Sequence, residues 1–129
     1  IETKKEMKTD KEILDEFGKH VSEDTFDSSY GSILEIINDK SPNLLMKKVA
    51  SLFQRFDDKE KEDIRKYLYE TISGTLHDFL RIFEENEQFK IVYEEDGKQV
   101  DLNKISEMLK AEPIIEGGWI ERFSKELKK

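Results

Sequence analysis

The two histidines, His20 and His77, are the side chains best suited to acid–base chemistry. A histidine titrates near neutral pH, so it can serve as a general acid or base when a partner orients it. Asp78 follows His77, but adjacent helix positions point about 100° apart, so we expect these two side chains not to face each other. The sequence has no cysteine and no His-Glu-x-x-His zinc motif. A small enzyme with a site around His77 therefore remains an alternative hypothesis only.

The acidic run Glu94-Glu95-Asp96-Gly97 is the best candidate for a cation-binding loop. In an EF-hand the glycine holds position six, which puts Val92 at position one and Asn103 at position twelve. Neither residue supplies the carboxylate that these positions require. A phosphate-binding loop fails too, because Gly117-Gly118 is not followed by Lys-Ser or Lys-Thr. The sequence therefore predicts no metal and no cofactor.

Acidic residues concentrate between Glu84 and Asp101, where seven acids stand against two lysines. Three of them, Glu84, Glu85 and Glu87, lie at the C-terminal end of a predicted helix, where the helix dipole disfavours anions by about 0.3–1 kcal/mol each. Gathering these charges costs free energy, which suggests a cationic partner as one explanation. The favoured interpretation is that the charges are solvated and serve only solubility. The predicted partner-binding residues in this region are Glu84, Glu85, Glu87, Glu94, Glu95 and Asp96.

Trp119 is the only tryptophan and directly follows Gly117-Gly118. Tryptophan often anchors protein interfaces, so Trp119 joins the predicted partner-binding residues. An aromatic residue that opens an amphipathic helix is, however, more often part of the core. Core packing is therefore the favoured interpretation of Trp119, with partner binding as the second.

The composition limits the class of protein. A chain of 129 residues fits one domain over residues 1–129. Thirty acids against 22 bases give a net charge of −8, which disfavours nucleic acid as a ligand. No apolar run approaches the roughly 20 residues of a membrane span, and no signal peptide opens the chain. We expect a cytoplasmic protein that binds neither nucleic acid nor a membrane.

The first third of the chain is predicted to be helical with one break. Residues 1–8 are expected to form a frayed lead-in. Thr9 and Glu12 make a capping-box pattern, which predicts a helix from Asp10 to about Lys19. The polar stretch from Ser22 to Ser29 predicts a loop.

Two further helices are predicted before a long one. The apolar residues from Ile33 to Ile37 favour a short helix over a strand. Ser41-Pro42 is typical of a helix start, and this helix is expected to run to about Arg55.

The long helix is the clearest element in the sequence. Asp57 and Glu60 repeat the capping-box pattern, and a helix follows from Asp58 to about Glu84. We expect its apolar stripe to be core, so that Leu76→Ala and Phe79→Ala each destabilise by roughly 2–5 kcal/mol. The stripe consists of Ile64, Leu68, Ile72, Leu76, Phe79 and Phe83.

Beyond the long helix, the residues Phe89 to Tyr93 and Gln99 to Leu102 flank an Asp96-Gly97 turn and predict a β-hairpin. Asp101 or Asn103 caps a short helix that holds Ile105, Met108 and Leu109, and Pro113-Ile114-Ile115 is predicted to be extended. A last helix runs from Trp119 to about Leu127. The predicted fold is mainly α (α+β), a helical domain with one long central helix and a single β-hairpin toward the C-terminal side.

Two segments of the chain are distinctive: Leu76-His77-Asp78-Phe79-Leu80 and Glu116-Gly117-Gly118-Trp119-Ile120-Glu121-Arg122-Phe123-Ser124-Lys125. An acidic break and a hairpin lie between them. This pattern resembles small acidic bacterial proteins of toxin-immunity type. The resemblance covers about residues 67–125 and includes no catalytic motif. It implies a cytoplasmic protein that neutralises a cognate toxin by stoichiometric binding, and a basic toxin domain would suit the acidic surface. A housekeeping interaction module of unknown partner is the other alternative to an inhibitor.

Overall fold

The first helix continues further than the sequence predicts. In a computed structural model, which describes residues 7–129, α1 spans Asp10–His20, and the predicted capping box between Thr9 and Glu12 is present. A π-helical segment, Val21–Asp27, follows without a break and leads into α2, Ser28–Ile37. The predicted loop from Ser22 to Ser29 is therefore wrong.

The reason lies in burial. Ser22 and Phe26 are fully buried in the π-helical segment, and the Phe26 ring stacks on Tyr30 with centroids 5.2 Å apart. A polar sequence thus continues as helix because its one aromatic side chain packs inward against the next turn.

The predicted lead-in, residues 1–8, lies outside the described residues except for Met7 and Lys8. Lys8 is not frayed: its Nζ lies 2.6 Å from a carboxylate oxygen of Glu16 and 5.3 Å from the ring centroid of Tyr93. The pKa of Lys8 is raised above its ordinary value, chiefly by the hydrogen bond to Glu16. This residue joins the N-terminal side of α1 to the hairpin.

The next helix is shorter than predicted. A 3-10 turn, Leu44–Met46, precedes α3, Lys47–Phe53. Asn43 caps this segment, since its Oδ1 accepts a hydrogen bond from the Leu45 backbone N–H at 3.0 Å. Asn43 thus takes the capping position that the sequence assigned to Ser41.

The long helix is confirmed as α4, Asp58–Glu85, about 40 Å in length. Asp57 and Glu60 form the predicted capping box. The buried face is rotated relative to the predicted stripe: Leu76 and Leu80 are buried, whereas Phe79 is 56% exposed. The expected core role of Phe79 is therefore wrong, because the neighbouring elements pack against the side of α4 that carries Leu80.

The hairpin has the predicted turn with slightly shifted strands. Strand β1, Val92–Glu95, pairs antiparallel with β2, Lys98–Asp101, in a register that sets Val92 opposite Asp101 and Glu95 opposite Lys98. Asp96 and Gly97 both have positive φ, as a two-residue type I′ turn requires. The mainly helical fold with one hairpin is confirmed.

The chain after the hairpin consists of short elements. Asp101 caps α5, Leu102–Ile105, as predicted, but the helix ends before Met108 and Leu109. Residues 113–115, predicted to be extended, form turns. The last helix, α6, covers only Trp119–Phe123, and Leu127 lies in a separate 3-10 turn.

Two buried clusters make up most of the core, and α4 contributes to both. The first consists of Ile13, Leu80, Leu102, Leu109 and Trp119. The second consists of Phe26, Tyr30, Leu76 and Ile120. Because α6 also supplies one residue to each, the last helix closes both clusters at once.

The packing of Trp119 requires glycine at positions 18 and 118. A Cβ atom added to Gly18 would lie 2.4 Å from the indole ring, and one added to Gly118 would lie 2.4 Å from the carbonyl oxygen of Glu112. Gly117 has a φ of 70°, which suits glycine. The Gly-Gly-Trp pattern is thus explained by packing.

Within residues 7–129, no helix is long and apolar enough to cross a membrane.

Candidate interaction surfaces

A large cavity lies at the C-terminal end of α4. It has a volume of about 600 Å³ and opens between the end of α4, the chain leading into β1, and α5. We call this cavity the acidic groove. It is lined by the acids Glu84, Glu87, Asp101 and Glu107, the lysines Lys90 and Lys104, and the aromatic residues Phe83 and Phe89, with Asn103, Ser106 and Leu109.

The electrostatics of the acidic groove are negative for two independent reasons. Four acids outnumber two lysines along its wall. The carbonyl end of α4 also lies there, and the helix dipole adds partial negative charge at this end. One of those carbonyls, that of Phe83, accepts a hydrogen bond from Nδ2 of Asn103 at 2.6 Å. The Oδ1 of Asn103 is buried and has no partner among the described residues.

Among the acids that line the acidic groove, Glu84 makes structural contacts within the chain. Its Oε1 accepts a hydrogen bond from the Lys110 backbone N–H at 2.7 Å, and its Oε2 lies 3.5 Å from Lys110 Nζ. The carboxylate thereby fixes the 3-10 turn Leu109–Ala111 to the end of α4. Glu84 is predominantly buried and is held by the fold itself, whereas Glu87 is exposed at the groove.

The predicted acidic patch is divided in the structure. Glu94 and Asp96 are exposed near the tip of the hairpin and do not line the acidic groove, whereas Glu84 and Glu87 do. Glu85 belongs to neither, since it lies on the outer side of α4, where it pairs with Arg81 at 3.8 Å.

Glu95 is tied to its own strand. Its carboxylate accepts a short hydrogen bond from the hydroxyl of Tyr93, two residues away on the same face of β1. That bond raises the pKa of Tyr93, because it stabilises the protonated phenol beside a carboxylate. Glu94 points to the opposite face of the strand and is exposed.

Trp119 is fully buried and is not available to a partner. Its ring meets Phe17 edge to face, with centroids 5.6 Å apart. The partner-binding interpretation of Trp119 is therefore wrong, and the core interpretation is confirmed.

The histidines show no catalytic arrangement in the described part of the chain. His77 Nδ1 lies 3.1 Å from Asp78 Oδ1, so the expectation that these neighbours do not meet is wrong: their rotamers bring the side chains together. His20 Nδ1 lies 2.7 Å from Asp24 on the exposed side of the first helix. Among residues 7–129, no three His, Cys, Asp or Glu side chains are grouped as metal ligands.

Sequence reasoning missed two features of the surface. Glu107, which follows α5, lines the acidic groove together with Glu87 and Asp101, although it lies outside the acidic run from Glu84 to Asp101. Near α3, large apolar side chains are exposed, including Leu44 at 78% and Leu45 at 82%. Helical spacing groups Leu45 with Val49, Leu52 and Phe56, but it does not show whether these side chains are covered by another element.

Comparison of this chain with protein-family models, with curated proteins and with solved structures gives no match.

Proposed function

We propose that this protein is a binding inhibitor of immunity type, which neutralises a basic bacterial toxin domain by stoichiometric occlusion. The observation that supports the proposal is the acidic groove, where carboxylates and an exposed aromatic residue share one concave surface. Phe89 is 59% exposed at its edge. In this proposal the inhibitor acts in the cytoplasm.

The groove offers a cationic side chain several contacts. Glu87 and Glu107 provide exposed carboxylates. Phe89 provides an aromatic face, which attracts a cation through its quadrupole. A lysine or arginine of the partner would thus meet negative charge and an aromatic ring together.

The acids at the hairpin tip have a different part in the proposal. Exposed charges outside the contact contribute to the encounter rate through long-range attraction, and salt screens that attraction within about 10 Å at 0.1 M. Glu94 and Asp96 would therefore steer the partner, whereas Glu87 and Glu107 would contact it.

A growth assay tests the proposed function. The product of each toxin-like gene adjacent to the gene for this chain is expressed in a susceptible host, with and without the chain. We expect growth to be restored only when the chain is co-expressed. Failure to restore growth with all such products, or restoration without a complex by size-exclusion chromatography, would contradict the proposal.

The partner then allows two charge variants of equal size to be compared. Glu87→Gln with Glu107→Gln changes the groove, and Glu94→Gln with Asp96→Asn changes the hairpin tip by the same charge. We expect the groove variant to raise the dissociation rate about tenfold or more, since it removes charge-assisted contacts. The hairpin variant should lower only the association rate, by roughly two- to tenfold at low salt. Equal dissociation rates for both variants would assign the acids to solubility.

A further inference from the structure

One edge of strand β1 has no partner strand. In the part of the chain that the structure describes, β1 and β2 form a sheet of two strands only. The Leu102 backbone N–H donates a hydrogen bond to the Ile91 carbonyl oxygen at 3.0 Å. Because backbone groups alternate in direction along an antiparallel strand, Ile91, Tyr93 and Glu95 direct theirs toward β2.

Val92 and Glu94 therefore direct their backbone N–H and C=O groups away from β2. No residue of 7–129 makes a backbone hydrogen bond to these four groups. Such a row of unpaired groups is a template for one further strand. The β1 edge, which we define by Val92 and Glu94, thus requires an occupant with an extended backbone, as in recognition by strand addition.

A cavity of about 220 Å³ lies beside the β1 edge, between the hairpin and α1. Ile13 and Phe17 line it from α1, and Ile91 and Tyr93 line it from the hairpin. Val92 alternates with Ile91 and Tyr93, so it lines the cavity from the edge of the strand rather than from its inner face. A strand added to β1 would therefore have a largely apolar cavity beside its inner face.

The charged groups around the β1 edge leave one carboxylate without an ion pair. On α1, Glu16 contacts Lys8 at 2.6 Å. His20 contacts Asp24 at 2.7 Å. Glu94, on the outer face of β1, is exposed and has no ion-pair partner among residues 7–129. A cation on the outer face of an added strand would therefore be complementary to Glu94.

We propose that the β1 edge binds an extended segment of another protein in which apolar and cationic residues alternate. The backbone of the segment pairs with Val92 and Glu94. Its apolar side chains lie at the cavity beside α1, and the alternation of a strand then sets its lysines or arginines on the outer face, beside Glu94.

A second copy of this chain is a poorer occupant of the β1 edge. Pairing of two β1 edges would bring two Glu94 carboxylates and two acidic hairpin tips close together, and each chain carries a net charge of −8. The same carboxylate therefore disfavours self-pairing and favours a basic segment. The segment contacts none of the residues that line the acidic groove, so this inference goes beyond the proposed function and does not depend on it.

A defined peptide tests the proposal. The probe is the pentapeptide Lys-Val-Lys-Val-Lys with blocked ends, and Glu-Val-Glu-Val-Glu is the control of equal length and alternation. In a nuclear magnetic resonance titration we expect saturable shifts of the Val92 and Glu94 amides, with a dissociation constant below about 1 mM. The acidic peptide should bind at least about tenfold more weakly. Absence of saturable binding of the basic peptide overturns the proposal.

Backbone methylation of the probe tests the strand pairing itself. One form of the peptide is N-methylated at its lysines and another at its valines. Because only alternate residues of an added strand direct their N–H groups toward β1, one form should lose binding and the other should keep it within about threefold. Loss of binding in both forms, or in neither, contradicts strand addition.

Proline substitutions at the two outer edges of the hairpin give a matched pair. Val92→Pro removes an outward N–H from β1, and Gln99→Pro removes one from β2, and neither removes a hydrogen bond between the strands. Val92→Pro should weaken binding of the basic peptide by about tenfold or more, and Gln99→Pro should change it by less than about twofold. Equal effects of the two variants overturn the proposal.

Far-UV circular dichroism checks that both proline variants are folded. Should Val92→Pro fail to fold, Glu94→Gln takes its place and should weaken binding by about three- to tenfold, with Glu107→Gln in the acidic groove as the control. Sedimentation velocity tests the other occupant. Self-association of the wild type that Val92→Pro abolishes, without binding of the basic peptide, would overturn the proposal and assign the β1 edge to a second copy.

Discussion

The last helix and the segment around α3 have similar apolar sequences and opposite burial. In α6, Trp119 and Ile120 are both 0% exposed, and they meet residues from the first helical stretch and from α4. At the 3-10 turn before α3, Leu44 and Leu45 are 78% and 82% exposed. Apolar spacing identifies a helix face, but the neighbours available to the helix decide whether that face is buried. Here α6 is contacted from several sides, whereas α3 rests mainly on α2.

The largest expected effect comes from deleting matched aliphatic side chains in the two regions. Ile120→Ala should destabilise the protein by about 2–5 kcal/mol, because it leaves a cavity beside Phe26 and Leu76. Leu44→Ala should change stability by no more than about 0.5 kcal/mol. Urea unfolding at low protein concentration measures both; equal losses would show that the two helices are packed alike.

A second, smaller contrast uses two helical glycines. Gly18→Ala should destabilise by roughly 1–3 kcal/mol, because the new methyl group overlaps the Trp119 ring. Gly74→Ala, where an added Cβ meets nothing within 4 Å, should stabilise by about 0.5–1 kcal/mol through helix propensity. Thermal unfolding, monitored by circular dichroism, shows whether each substitution stabilises or destabilises the protein. A stabilising Gly18→Ala would mean that Trp119 does not rest on α1.

The smallest effect concerns the hairpin and pH. The Glu95 carboxylate raises the pKa of Tyr93, so Glu95→Gln should return that pKa toward its usual value near 10. In the wild type the folded state favours the protonated phenol. The resulting stabilisation is present below the pKa of Tyr93 in the unfolded chain and is lost as pH rises through its pKa in the folded protein. Tyrosinate absorbance in an alkaline titration measures the shift. Glu94→Gln, on the other strand face, is the control and should leave the pKa unchanged.

Local chemistry made much of the fold predictable from sequence. The capping boxes at Thr9 and Asp57 fixed the starts of α1 and α4, and Asp96-Gly97 fixed the hairpin turn, because each pattern acts within four residues. The π-helical segment was missed because the burial of Phe26 depends on distant residues, including Ile120.

The acidic region was predictable in composition but not in arrangement. The residues from Glu84 to Asp96 were visible as one run of charge, whereas the groove takes Glu107 from beyond the hairpin and leaves Glu94 outside. Strand β1 carries Glu94 out of the groove although Glu94 is close to Glu87 in sequence. The reversal of the chain at the hairpin brings Glu107 into the groove although it is distant in sequence. Neither effect leaves a local signal.

The closing role of α6 has a consequence for the order of folding. Both core clusters depend on residues near position 120, and Asp27 accepts hydrogen bonds from the Ser124 hydroxyl at 2.6 Å and from the Lys125 backbone N–H at 2.7 Å, nearly one hundred residues away. During synthesis the helices from α1 to α4 are therefore formed while their buried faces are still open. We therefore expect stable tertiary structure to form only after Trp119 and Ser124 have been synthesised and can pack. Until then the apolar faces of the earlier helices lack these partners, and we expect them to be open to chaperones.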